Sequence, residues 1–489
     1  MNLLAIFVLV VSSVVLTLQA RKFYGAWINP VSAFCVLSFF HNWIGSLLNV
    51  FVEIEWGVNS PESARTAVLF VNAVGLWCFA LGAWLVRNSG VRHQSSAVRT
   101  RIPLVRVFEW GYCAIAGFML IMPFIMAGGF ARAYGEGQAA HAPTSTNFAQ
   151  LLNMRQALLI AGYTTSTLQG RKRALFYIGA FCFEILIALL SGGRKALMIT
   201  AAGLLIVYVS THRVRLATTL RTAFVLLVVG YLSVAVNVWR AGFKLPFRER
   251  FSRFTHGMAS KEFEEHLIKG LMSADSEGVQ SWVYRLWFQR GHQPLLYGRS
   301  YVQAAVNMVV PREFQGSLVD YQAAYFFKDR AYRGATKTGY DFTFTAEALL
   351  NFGPWLAGLS FLMLGMGVGT LYARWRHTAS ITLAMLYFYT FAVLTVTLRA
   401  DSTGCFRYLW FGYGPLLVVA HLLSRGKVPA NTLAGYRRLP RLWGWLNTAT
   451  PAPPAPPSSS LAPALDTMPG QSPAFEKQEK RDADRNPRS

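Results

Sequence analysis

Long apolar blocks constrain the fold of this chain more than any other feature of its sequence. The chain is 53% hydrophobic and only 14% charged, whereas a soluble domain carries about 25% charged residues. A helix needs about 20 apolar residues to cross roughly 30 Å of hydrocarbon. The blocks have about this length, and they predict an all-α polytopic membrane protein with about 11 transmembrane helices, at residues 3–20, 28–51, 65–86, 107–127, 150–168, 174–190, 195–210, 221–240, 346–372, 379–398 and 407–424.

The cations between the blocks predict the orientation of the helices. The net charge is +24, and Lys and Arg collect in cytoplasmic loops of membrane proteins. If the chain crosses the membrane eleven times, the cationic clusters that follow the odd-numbered blocks all lie on the same side of the membrane. We therefore expect a multi-pass membrane protein with its N-terminus outside and its C-terminus in the cytoplasm. The sequence contains no basic-aromatic soluble module, so we expect no nucleic-acid partner. The clusters lie at Arg21/Lys22, Arg87–Arg106, Arg171–Arg173, Arg213–Arg221, Arg374/Arg376 and Arg425/Lys427.

The spacing of the blocks divides the chain into four parts. Residues 1–240 hold the first eight predicted helices, 241–345 form an aromatic outer segment, 346–426 hold the last three helices, and 427–489 form a basic, Pro-rich tail. The outer segment has helical periodicity in places, so we expect a helical periplasmic cap. In the ninth block, the glycine pair of GMGVG at 365–369 predicts close packing between helices.

Cations also occur at the predicted outer ends of helices, where the orientation rule disfavours them. The turn SGGRK places Arg194 and Lys195 at a helix start, and Arg155 lies about one turn inside another helix. Arg240 and Arg399 close two further helices. Exposed helix N-termini and guanidinium groups bind anions, which predicts an anion site at the outer face. The alternative is that these side chains reach the lipid head groups.

Two carboxylates near the end of the outer segment are candidates for a general base. Glu347 lies at the predicted start of the ninth helix, and Asp341 precedes it. An acid in a first turn also stabilises the helix dipole, which is the alternative interpretation of Glu347. The sequence has no metal-ligand spacing, nucleotide loop or dinucleotide motif, so we expect no metal and no cofactor. A donor used without these must carry its own activation, as a lipid-linked sugar pyrophosphate does.

Four short segments resemble motifs of the Wzy-type oligosaccharide repeat-unit polymerases, the O-antigen and capsule polymerases. These are SGGRK at 191–195, YGRSYVQAAVNMVVPREF at 297–314, FTAEALLNFGPWLAG at 344–358 and LRADS at 398–402. The resemblance implies a metal-independent, inverting glycosyltransferase similar to the GT-C group, with an undecaprenyl-pyrophosphate-linked glycan as donor and acceptor. It also implies a location in the bacterial inner membrane, with a periplasmic N-terminus and a cytoplasmic C-terminus, and a chain-length regulator and a flippase as protein partners.

Residue roles follow from the resemblance together with the charges. Glu347, Asp341 and Arg194 are the catalytic candidates. Arg155, Arg194, Lys195, Arg240 and Arg399 are the candidates for pyrophosphate binding. The candidates for glycan binding are Arg312, Tyr301, Asn351, Asp401 and Trp282. Three alternatives stay open: an O-antigen ligase, a polysaccharide flippase or anion transporter, and a non-enzymatic sugar-binding scaffold.

Overall fold

The computed structural model describes fifteen stretches of the chain: 2–50, 61–87, 104–127, 154–168, 173–191, 194–211, 216–241, 247–258, 274–289, 294–310, 314, 322–323, 342–378, 381–398 and 402–424. No strand occurs among these residues. The helices are α1 (Asn2–Tyr24), α2 (Pro30–Ser38), α3 (Ile44–Leu48), α4 (Glu62–Leu85), α5 (Leu104–Ala127), α6 (Met154–Leu168), α7 (Ala174–Ser191), α8 (Arg194–Thr211), α9 (Leu216–Ala241), α10 (Phe247–Met258), α11 (Ala274–Tyr284), α12 (Arg299–Val309), α13 (Phe344–Leu356), α14 (Gly358–Thr378), α15 (Ile381–Thr397) and α16 (Ser402–Ser424).

Each predicted apolar block coincides with helical structure. Three helices of the described chain are long and apolar enough to cross a membrane, namely Leu3–Tyr24, Pro30–Leu48 and Glu62–Leu85. A fourth qualifies if α13 and α14 are counted as one bent span. The all-helical prediction is therefore confirmed for the described residues, and the number of eleven crossings remains a prediction.

The prediction of one continuous ninth helix at 346–372 is wrong. The chain forms α13 and α14, which are bent by 115°. Gly353 adopts φ 72° and ψ 176°, a conformation that glycine reaches without a Cβ penalty. Pro354 follows it and has no backbone N–H for a continuous helix. The second block is irregular but continuous, because a π-helical turn at Phe39–Trp43 lies between α2 and α3 within the helical span Pro30–Leu48.

Several predicted cytoplasmic cations lie at the same end of the bundle. Tyr24 at the end of α1 donates a hydrogen bond to the Ala83 carbonyl in α4, and its ring packs against Tyr372 in α14 at 5.3 Å. The guanidinium of Arg87 lies over the Phe23 ring, and that of Arg376 over Tyr372. We call this the cationic end.

The contacts of α6 show which helix termini lie at the opposite end. Arg155 binds Glu184 in α7, whereas Gly162 lies against Tyr177, so α6 and α7 are antiparallel. Ile160 and Ala392 both approach Gly203, and Thr165 contacts Met385, so α6 and α15 are also antiparallel.

Ala188 near the end of α7 and Leu197 near the start of α8 belong to one buried cluster, so these two helices are also antiparallel. The start of α6, the end of α7, the start of α8 and the end of α15 therefore lie at one end, opposite the cationic end. We call it the site end.

The predicted glycine packing is confirmed in the contact between α4 and α14. A Cβ added at Gly365 would lie 2.1 Å from the Phe79 carbonyl oxygen. One added at Gly369 would lie 2.7 Å from the Cα of Ala83. The two backbones thus approach too closely for any larger residue, as in other small-residue interfaces of membrane helices.

Candidate functional site

The carboxylate of Glu347 is the centre of a hydrogen-bonded cluster at the site end. Thr343 caps α13 by accepting from the Ala346 N–H at 3.1 Å, which places Glu347 in the first turn. Oε1 of Glu347 accepts from the hydroxyls of Ser300 at 2.5 Å and Ser402 at 2.6 Å. Oε2 accepts from the Ser402 N–H at 2.6 Å. Glu347 is therefore the anionic cap of a distant helix, α16, whose first residue is Ser402.

Asn351, one turn along α13, completes the cluster. Its Oδ1 accepts from the Gly298 N–H at 2.9 Å, and its Nδ2 donates to the Ser300 hydroxyl at 2.7 Å. Its backbone carbonyl accepts from the Tyr297 N–H at 2.9 Å. These bonds hold the sharp turn before α12, in which Tyr297 and Gly298 have φ of 47° and 83°. Glu347, Asn351, Gly298, Ser300 and Ser402 are hereafter the Glu347 cluster.

The Glu347 cluster joins segments that are far apart in the sequence. Ser300 belongs to the YGRSY segment, Glu347 to the TAEALLNFG segment and Ser402 to the LRADS segment. The Phe344 N–H also bonds to the Leu398 carbonyl at 3.4 Å. Three of the four motif segments named in the sequence analysis thus meet in one buried site.

The geometry argues against a free carboxylate at position 347. Glu347 is 0% exposed, and both of its oxygens accept hydrogen bonds from protein donors. A general base must lie within hydrogen-bond reach of the proton that it removes. In this structure the Glu347 carboxylate reaches hydroxyl and amide groups of the protein itself, so it positions the segments around it.

Arg155 has a partner that the sequence analysis missed. Its Nε donates to Glu184 Oε1 at 2.8 Å and its Nη2 to Oε2 at 3.1 Å. The Tyr112 hydroxyl donates to the same carboxylate at 3.2 Å. The expectation that Arg155 binds pyrophosphate therefore needs correction, because its charge is balanced inside the bundle by Glu184.

A second ion pair, between the half-buried Arg173 and the buried Glu109, lies nearer the cationic end. Arg173 binds Glu109, whose other oxygen accepts from the Tyr177 hydroxyl at 3.0 Å. Glu109 and Glu184 both interrupt apolar blocks, so the sequence did contain a sign of them. Ionisable residues within membrane helices are often functional and are paired with one another.

The remaining cationic candidates are described only in part. Arg194 is the first residue of α8, and Arg240 lies one residue before the end of α9. Lys195 has an exposed side chain. The side chains of Arg194 and Arg240, together with the whole of Arg312, Asp341, Arg399 and Asp401, lie outside the described residues.

The two aromatic candidates pack against protein. The ring of Tyr301 stacks on Phe352 at 6.2 Å, and its hydroxyl donates to Ser360 at 2.8 Å. Burial, together with the nearby Glu347 carboxylate, raises the pKa of Tyr301 well above its ordinary value, so this hydroxyl stays a donor. Trp282 is half-buried and packs against the main core.

A further buried carboxylate fixes the outer segment to the bundle. Oε1 of Glu277 in α11 accepts from the Gly45 N–H at 2.7 Å, and its Oε2 accepts from the N–H and hydroxyl of Ser46 at 2.9 and 2.6 Å. Burial raises the pKa of Glu277 to about 8, although these donors and Arg65 oppose the shift. Glu277 thus caps α3 from a helix more than two hundred residues away.

An amide network lies beside Glu277. Gln280 Nε2 donates to Asn42 Oδ1 at 3.1 Å, and Asn72 Nδ2 donates to Gln280 Oε1 at 3.0 Å. The hydroxyl of Thr345 donates to Asn72 Oδ1 at 2.9 Å. Thr345 precedes Glu347 by two residues, so the packing of the outer segment and the position of Glu347 depend on one another.

The described residues contain no group of three or more His, Cys, Asp or Glu that could hold a metal ion. Neither the protein-family models, nor the curated proteins, nor the solved structures compared with this chain give a match. The likeness to the repeat-unit polymerases therefore rests on the four motif segments.

Proposed function

We propose that this protein is a membrane-embedded, inverting glycosyltransferase that polymerises undecaprenyl-pyrophosphate-linked oligosaccharide repeat units at the outer face of the bacterial inner membrane. The proposal includes eleven crossings and a GT-C-like fold. Apolar helices of intermediate length support the higher count, namely Ala174–Leu189, Lys195–Thr211, Leu220–Leu232 and Ile381–Thr397.

One observation carries the proposal. Ser300, Glu347 and Ser402 come from three of the four motif segments, and both serine hydroxyls donate to the Glu347 carboxylate. The fourth segment, which contains Arg194, starts α8 at the same end of the bundle. Three of the four segments therefore meet in one buried site and the fourth starts a helix at the same end of the bundle, which is the arrangement that we expect of an active site.

The proposed reaction is a single displacement. A hydroxyl oxygen of the acceptor sugar forms a bond to the anomeric carbon of the donor. The bond from that carbon to the pyrophosphate oxygen breaks, and undecaprenyl pyrophosphate leaves with the electron pair. Attack opposite the leaving group inverts the anomeric centre.

Charge on the leaving group requires cations in place before the reaction begins. Electrostatic stabilisation of this kind is usually the largest single contribution to catalysis. Arg194, Arg240 and Arg399 are the proposed cations. Because Arg155 is bound to Glu184, we assign it a structural role.

The proton of the acceptor hydroxyl goes to a carboxylate. The buried bonds of Glu347 favour a positioning role for this residue, and Asp341 becomes the proposed base. Glu347 and Asn351 hold the turn at Gly298 and the start of α16, and these two segments adjoin Arg312 and Asp401 in the sequence.

Replacing Arg194 tests the proposal. In a strain that lacks the gene, Arg194→Ala should restore no long glycan chains, as seen on a gel of extracted polysaccharide. Arg374→Ala is the matched control, because Arg374 is an exposed arginine in the last turns of α14, towards the cationic end. Wild-type chain lengths with Arg194→Ala, at equal protein level, would contradict the pyrophosphate assignment.

The product that accumulates in the gene deletion distinguishes polymerase from ligase. A polymerase deletion leaves single repeat units attached to the acceptor. A ligase deletion leaves long chains that are not transferred to their acceptor.

A transporter is the second candidate, because the pairs Arg173–Glu109 and Arg155–Glu184 form two charged levels across α5, α6 and α7. A membrane-impermeant glycosidase applied to deletion spheroplasts separates the two functions. Repeat units that the enzyme digests have already crossed the membrane, which supports the polymerase. Protected units would support the transporter.

A further inference from the structure

Two buried side chains at the site end have polar atoms without a hydrogen-bond partner. Gln156 in α6 and Thr200 in α8 are both 0% exposed. Neither the amide nitrogen and oxygen of Gln156 nor the hydroxyl of Thr200 has a partner in the described part of the chain. A buried polar group left without a partner lowers the stability of the fold by about 1–3 kcal/mol. Two such residues in one region therefore leave several hydrogen-bonding groups unsatisfied there.

The packing places the two residues at one level. Ile160 contacts Gly203, and α6 and α8 run in the same direction, since both are antiparallel to α7. One turn nearer the site end, Gln156 lies on the same side of α6 as Ile160, and Thr200 lies near Gly203 on the inner side of α8. Gln156 and Thr200 therefore face the interior between α6, α8 and α15.

This level lies just inside the first residue of α8. Six residues separate Arg194 from Thr200, which is about 9 Å along a helix. The pair thus lies inside the bundle, where a pyrophosphate group that enters from the site end past the first residue of α8 would meet it.

The free groups fit a phosphate better than an apolar ligand. The amide nitrogen of Gln156 offers two donor hydrogens and the Thr200 hydroxyl offers one. Phosphate oxygens accept such hydrogen bonds, and hydrogen bonds to ionised groups are the stronger kind. Neither residue carries charge, so the pair binds an anion without the insertion cost of another buried cation.

We propose that Gln156 and Thr200 form the inner wall of the pyrophosphate site and donate hydrogen bonds to a phosphate oxygen of an isoprenoid-linked pyrophosphate. The proposal rests on the proposed function, in which Arg194 binds the same group from the helix start. It adds two uncharged residues to the site and places one phosphate between α6 and α8.

Binding by the full-length protein in detergent tests the proposal, with farnesyl pyrophosphate as the probe and titration calorimetry as the measurement. Thr200→Val and Gln156→Met keep the volumes and remove the donors. Each should weaken binding at least about tenfold. Thr164→Val is the matched control, because Thr164 is also buried but donates to the Ile160 carbonyl at 2.7 Å, and it should leave the affinity unchanged.

Unchanged affinity in both variants would overturn the proposal. A raised melting temperature with it would indicate that the pair is simply unsatisfied in the folded protein, and a lowered one that it holds an internal water. If Gln156→Met does not fold, Thr200→Val alone decides. Inorganic pyrophosphate should compete with the probe if the headgroup is what binds, and failure to compete would overturn the assignment.

The proposed function has its own readout, the glycan chain length. If the variants lose binding but the wild type makes no glycan, the anion site is retained and the polymerase function is rejected. If the wild type polymerises glycan but both variants bind the probe normally, the polymerase function is retained and the anion site is rejected.

Discussion

Replacing Glu347 by Gln tests whether this carboxylate is structural or chemical. From described residues, the side chain accepts hydrogen bonds from the Ser300 hydroxyl and from the hydroxyl and N–H of Ser402. An amide has one acceptor oxygen. If the amide oxygen faces the two serine hydroxyls, the amide NH2 group faces the Ser402 N–H, and two donors meet. If the amide oxygen faces the Ser402 N–H, the hydroxyls of Ser300 and Ser402 must rotate to accept from the NH2 group.

The magnitude follows from the bonds that are lost. A hydrogen bond to an ionised group contributes about 1.5–3 kcal/mol. The better amide orientation keeps the backbone bond, because the hydroxyls can rotate and a backbone N–H cannot. We therefore expect Glu347→Gln to lower the free energy of unfolding by about 1.5–3 kcal/mol. Glu347→Ala should lower it by roughly 3–5 kcal/mol, since it also leaves a cavity and an unsatisfied N–H.

Thermal unfolding of the purified protein in detergent measures the effect. Glu249→Gln is the control, because Glu249 is an exposed carboxylate in the first turn of α10. Equal unfolding midpoints for Glu347→Gln and Glu249→Gln would refute the reasoning. Complete loss of glycan chains with an unchanged midpoint would instead assign Glu347 a chemical role.

Three further predictions concern other parts of the bundle. Gly365→Ala should lower the melting temperature by several degrees in the same assay, because its Cβ meets a backbone oxygen at 2.1 Å, whereas Gly367→Ala has nothing within 4 Å and should be neutral or stabilising. Because the folded-state pKa of Glu277 is raised to about 8, the stabilisation from its proton is complete below the unfolded pKa and is lost as pH rises to about 8. Between pH 5 and 8 the wild type should therefore lose stability relative to Glu277→Gln in melting curves taken along a pH series. Arg155→Met should cost about 3–5 kcal/mol in denaturant unfolding, because it leaves Glu184 buried and without its cation, and Arg155→Met with Glu184→Leu should recover most of that loss.

The positions of the helices could be read from the sequence because burial in hydrocarbon or in a helical core imposes long apolar blocks. The location of Arg87 and Arg376 at one end of the bundle could be predicted for the same reason, since both charged groups must lie outside the apolar layer. The close contact at Gly365 was also predictable, because two small residues four apart lie on one helix face.

The bend at Gly353 was missed although its residues, Gly and Pro, were visible. The apolar block continues through both sides of the bend, and hydropathy does not report direction. The start of α16 at Ser402, five residues before the predicted start, was missed for a different reason. Its first N–H is satisfied by Glu347, more than fifty residues earlier, and no local pattern encodes such a cap.

The sequence by itself determined the all-helical architecture, the sorting of cations and the four segments that carry the resemblance, because each depends on residue type and local spacing. Only the tertiary structure decided which charges are used internally. It paired Arg155 with Glu184, enclosed Glu347 among serine donors, and left Gln156 and Thr200 without hydrogen-bond partners among the described residues. The physical reason is that a buried polar group is stabilised by the groups that it contacts on neighbouring helices, and the packing of the helices decides which groups those are.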